Sequence, residues 1–89
     1  MIFYLLILKL KFKDSEGNTP LHLAILNQHA SIIEILLRQK EIDLKVRNNI
    51  GQSPFATALM RKNNNATSLI LKKEPNAAEQ VKSILKNKN

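Results

Sequence analysis

The chain echoes itself at a distance of 34 residues. Gly17 returns as Gly51, Pro20 as Pro54, Ala24 as Ala58 and Leu37 as Leu71. Where the residue changes, the chemistry holds: Leu21 answers Phe55, Ile25 answers Leu59, and Leu10 and Phe12 answer Leu44 and Val46. An offset near 33 that runs through turns and apolar stripes alike marks tandem units, none of which buries its apolar face alone. A chain of 89 residues has room for one small domain. Its units must therefore stack in a row and share one apolar seam.

The unit is best read from its first copy, residues 17–24. Gly17 suits a tight turn because it enters the left-handed region at little steric cost. Thr19 can cap the first free amides of a helix. Pro20 then fits the first helical position, where its missing N–H is no loss. Leu21 and Ala24 begin an apolar stripe, and His22 can bond back to the turn and link neighbouring units. The run Thr19-Pro20-Leu21-His22-Leu23-Ala24 is the T-P-L-H-x-A signature, and here the chain resembles the ankyrin-repeat family. In the second copy Asn48 replaces Asp14, Ser53 replaces Thr19 and Ala56 replaces His22. Ser53 still caps, Pro54 still starts a helix and Ala58 keeps the stripe, but the histidine bridge is lost.

The expected architecture is all-α: an ankyrin-repeat solenoid fragment of two helix-turn-helix repeats joined by a β-hairpin-like finger. Residues 14–47 form the first repeat, with helices at about 20–27 and 31–39. Residues 27–29 make its inner loop, with Asn27 suited to left-handed geometry. Ile32, Ile33, Ile35, Leu36 and Leu37 contain the spacing of a buried helix face. Residues 42–47 alternate apolar and polar, as an extended arm does. Residues 48–76 form a degenerate second repeat, in which Asn63, Asn64 and Asn65 make the loop and a last helix covers about 66–73. Residues 77–89 read as a helical cap with a basic tail, Ala78, Val81, Ile84 and Leu85 recurring at helical spacing.

Residues 1–13 are apolar and basic. They fit either a half-repeat or an incidental start lying over the first repeat. Their run of seven apolar residues, 2–8, is far short of the roughly 20 of a membrane-spanning helix. No charged start or small-residue cleavage site marks a secretory signal.

Charge and chemistry exclude several functions. The net charge is +7, but residues 1–13 hold three lysines and no acid, and residues 72–89 hold five lysines against two glutamates. The body between them carries six basic and five acidic residues, whereas nucleic-acid binders carry their basic face on the folded body. No nucleic-acid partner is expected. With no cysteine and only His22 and His29, neither a zinc site nor a thiolate nucleophile is expected. No residues form a catalytic set, so an enzyme is not expected and no cofactor or metal is called for.

What remains is a surface for a protein partner. The family resemblance implies contact positions beside the turn glycine and at the end of the first helix. In the first repeat these are Ser15, Glu16, Asn18, Leu26 and Asn27. In the second they are Asn49, Ile50, Gln52, Met60 and Arg61. Ile50 and Met60 are apolar where solvent is expected, which fits either anchors for a partner or tolerated exposed residues. Residues 14–81 also resemble the ankyrin arrays of endosomal trafficking adaptors. That resemblance implies a monomeric, cytoplasmic and endosome-associated module, with a Rab GTPase or another endosomal protein as partner. Peripheral membrane attachment through residues 1–13 is the alternative. Two repeats with improvised ends should also be only marginally stable, since ordering about 1–2 kcal/mol of backbone entropy per residue nearly cancels their apolar burial.

Overall fold

The computed structural model describes residue 10 and residues 12–79. Among the described residues four complete helices follow one another: α1 (Pro20–Leu26), α2 (Ala30–Leu37), α3 (Pro54–Met60) and α4 (Asn64–Lys73). Each of α1 and α3 folds back on its successor, and the pairs stack with α1 on α3 and α2 on α4. The shared core is built from Leu21, Ala24, Ile25, Ile33, Leu36 and Leu37 of the first pair. Phe55, Ala58, Ala66 and Ile70 come from the second, and Leu10 and Ala77 belong to the same cluster.

Local chemistry sets the helix starts. Thr19 and Ser53 are extended N-caps whose hydroxyls accept from the backbone N–H of His22 and Ala56. Pro20 and Pro54 begin the helical turns behind them. Such caps are worth about 1 kcal/mol each. The helix ends are equally regular. His29 N–H donates to the Ala24 carbonyl and Gln28 N–H to that of Ile25, as Asn63 does to Ala58 and Lys62 to Leu59. These are paired Schellman closures, whose next residue must be left-handed and is usually glycine. Here Gln28 (φ 56°) and Lys62 (φ 55°) take that place.

Several expectations are corrected. Among the described residues there is no strand, so the fingers are not β-hairpins. The alternation of residues 42–47 is real in burial, odd positions exposed and even ones half-buried. A turn interrupts it, because the Asp43 carboxylate accepts from the Lys45 N–H at 2.9 Å. The left-handed residue of the first loop is Gln28, whereas Asn27 keeps φ −94° as the helix cap. The asparagine loop is shorter than expected because Asn63 caps α4 through its side chain, accepting from Ala66 N–H, so Asn64 and Asn65 are helical. Helix α2 runs from Ala30 to Leu37 and buries Ile33, Leu36 and Leu37 but not Ile32 or Ile35. Residues 77–79 are helical; the rest of the expected cap, from residue 80, lies outside the described residues, as do residues 1–9 and 11.

Candidate functional site

Two tips and two helix ends frame a groove on the α1–α3 side. Each tip is built around one Asx side chain. Asp14 accepts from Glu16 and Asn18 N–H, both at 2.9 Å. Asn48 does the same for Ile50 (3.2 Å) and Gln52 (2.9 Å). Asn48 also does what an aspartate cannot: its Nδ2 donates to Asn18 Oδ1 of the other tip at 2.9 Å. Asn49 completes the stitch, giving its backbone N–H to the Glu16 carbonyl at 2.9 Å and its Nδ2 to the Ser15 carbonyl at 3.0 Å. Gly17, at φ +78°, lies beneath Asn49; a Cβ there would stand 2.5 Å from Asn49 Oδ1 and 2.8 Å from its backbone nitrogen. Gly51, at φ +80°, faces open space.

Behind the tips, His22 joins the pairs from inside. Its ring is fully buried. Nδ1 accepts from the Thr19 N–H at 3.1 Å, and Thr19 Oγ1 stands 2.8 Å from the same nitrogen. Nε2 therefore carries the proton and donates to the Gln52 carbonyl at 2.9 Å. Burial holds the ring's pKa below the ordinary value of 6.5; the Gln52 hydrogen bond opposes that, Lys13 adds to it and Asp14 offsets it. Asn63 Nδ2, donating to the Ile25 carbonyl at 3.3 Å, is a second strut between the pairs.

The groove so framed has a volume of about 370 Å³. Its lining holds Glu16, Asn18 and Leu26 from the first pair and Ile50, Gln52, Met60 and Arg61 from the second. Ile50 and Met60 are 75% and 66% exposed, which makes them its largest free apolar surfaces. Asn48 lines it too. Sequence reasoning left Asn48 out, although its place opposite Asp14 in the 34-residue register was a signal. Ser15, Asn27 and Asn49 do not line the groove. Ser15 and Asn49 are spent on stitching the tips, and Asn27 Nδ2 caps the Leu23 carbonyl at 2.9 Å. Two hollows of similar size lie along α2 and α4, with Glu34, Arg38, Lys72 and Lys73 in one and Asp43, Lys45, Lys73 and Glu74 in the other. Both are lined by charges of either sign and lack an exposed apolar anchor.

Among the described residues no three of His, Asp and Glu gather as metal ligands, and no helix is long and apolar enough to cross a membrane. The geometry offers a wall of amides, one acid, one base and three apolar side chains. It can hold a complementary surface.

Comparison with known proteins agrees with this plan. The family described as ankyrin repeats (3 copies) matches residues 1–85. Rabankyrin-5 of Mus musculus is 52% identical over 69 residues, 78% of this chain, and Rabankyrin-5 of Homo sapiens is 49% identical over the same length. Oxysterol-binding protein homolog 2 of Saccharomyces cerevisiae is 38% identical over 78 residues, 86% of this chain. The matched stretch spans 6% of the length of each of these relatives. Stacked helix pairs, Thr/Ser-Pro helix starts, a buried bridging histidine and a match along nearly the whole sequence lead to one conclusion: the chain belongs to the ankyrin-repeat family.

Proposed function

We propose that this chain is a non-catalytic protein-interaction module whose contact surface is the groove between tips and first helices. The observation that carries the reading is the pair Ile50 and Met60, left exposed at 75% and 66% inside a concave wall that both repeats build. Apolar side chains ringed by amides and single charges are the composition of an interface centre with a polar rim. The remaining contact positions, Ser15, Asn27 and Asn49, are exposed next in sequence to lining residues, and their free surface would serve as its rim. The identity to Rabankyrin-5, whose name joins Rab and ankyrin, supports an endosomal setting. A Rab GTPase or another endosomal protein is then the partner.

The test is titration calorimetry of the full chain against a panel of purified Rab GTPases loaded with a non-hydrolysable GTP analogue. At least one should bind. The Ile50→Asp, Met60→Asp double variant should bind it at least about tenfold more weakly, the loss expected when central anchors go. Circular dichroism should show the same helix content for both. Equal affinity of the double variant would remove the groove, and a panel with no binder would remove the Rab assignment.

A further inference from the structure

The three amide side chains of the groove are wired so that their oxygens are all engaged. The backbone N–H groups of Ile50 and Gln52 both donate to Asn48 Oδ1. A main-chain N–H can only donate, so the other end of that side chain is its NH2. This NH2 donates to Asn18 at 2.9 Å, which fixes the receiving atom as Asn18 Oδ1. Gln52 Oε1 accepts from the Thr57 hydroxyl at 3.3 Å. Among the described residues neither Asn18 Nδ2 nor Gln52 Nε2 has an acceptor. The amide wall therefore presents donors.

Asn18 decides what can sit there. It is only 5% exposed, yet among the described residues no fully buried side-chain nitrogen or oxygen lacks a partner. Its unpaired Nδ2 thus keeps contact with solvent, and the groove is the hollow that Asn18 lines. An occupant seated on Ile50 and Met60 that covers this atom must supply an acceptor, or it leaves a buried donor unpaired at high cost. The lining holds one acid, Glu16, and one base, Arg61, so no net charge favours an anionic acceptor. The neutral acceptor that every polypeptide carries beside an apolar side chain is its own carbonyl. Within a helix that group is already bonded. In an extended segment it is free, and alternate side chains share one face.

We propose that the groove takes an extended, uncharged stretch of a partner protein, with apolar side chains at alternate positions and a main-chain carbonyl accepting from Asn18 Nδ2. This rests on the groove being the contact surface. Asn48 acts as the positioning residue, since its bond to Asn18 Oδ1 turns the Asn18 NH2 toward the occupant.

Two substitutions reverse that polarity and keep the tips. Asn18→Asp retains an oxygen for Asn48 Nδ2 and replaces the free donor by an acceptor. Asn48→Asp restores the residue type the first tip uses, Asp14; Asn18 must then give its NH2 to the new carboxylate and turn its oxygen outward. The probe is the terminally blocked peptide Ser-Leu-Ser-Leu-Ser at millimolar concentration, added to the nitrogen-15-labelled full chain. The Asn18 side-chain NH2 signals should shift on titration, and each substitution should weaken binding by about tenfold or more. Unshifted Asn18 signals, equal binding by either variant, or tighter binding of Ser-Leu-Asp-Leu-Ser would overturn the proposal. The Rab titration separates the two readings. A GTPase whose binding falls with Ile50→Asp, Met60→Asp but not with Asn48→Asp would leave the groove standing and end this inference alone.

Discussion

His22 has every polar atom engaged inside the seam, and protonating it would turn Nδ1 from acceptor to donor against the Thr19 N–H. Its pKa lies below 6.5 in the fold, so at mildly acidic pH the unfolded chain binds a proton that the folded chain refuses. Stability from this group is complete above about pH 6.5 and falls as pH drops through the lowered folded value. Melting midpoints at pH 7.5 and 5.5 should therefore differ, with the lower one at pH 5.5. His22→Gln keeps an N3 side chain able to complete the capping box and should flatten that slope; an unchanged slope would assign it elsewhere. The two turn glycines make a second contrast at this scale. Both need a left-handed backbone, but only Gly17 has a neighbour's backbone in the way of a Cβ. Gly17→Ala should lose about 1–3 kcal/mol and Gly51→Ala nearer 1 kcal/mol, measured by urea unfolding.

At the scale of elements, the inter-helix loops hold an avoidable strain. Gln28 and Lys62 occupy the Schellman position in left-handed conformation, where an L-residue costs about 1–2 kcal/mol. Glycine would relieve it while adding about 0.4–1 kcal/mol of unfolded-chain entropy. Gln28→Gly and Lys62→Gly should each raise stability by about 0.5–1 kcal/mol, read as a higher urea midpoint at constant slope. The helix starts were legible in the sequence because Thr19-Pro20 and Ser53-Pro54 act locally. The loop after Met60 was not, because one asparagine of three caps the next helix and nothing in an asparagine triplet says which. The finger arm misled for a related reason: its alternation sets burial correctly, but the Asp43 side chain bends the backbone before any ladder can form. Ile32 and Ile35 show another limit. Helical spacing tells that they belong to an apolar face, and only the stacking order tells that the second repeat packs elsewhere.

For the whole molecule, one seam serves both repeats, so neither half has a core to itself and unfolding should be a single cooperative event. Among the described residues, a core of twelve buried apolar residues, four of them alanine, gives little reserve. We expect one calorimetric transition with a midpoint below roughly 70 °C, within the range of mesophile domains; two transitions, or one well above that temperature, would contradict the shared seam.

The groove has one wall from each repeat: Glu16, Asn18 and Leu26 face Ile50, Met60 and Arg61. An occupant gripping both sides would splint the joint between the repeats as well as fill the hollow. Recognition and cohesion would then rise together, and the bound module would be the sturdier one by an amount that grows with the logarithm of ligand excess.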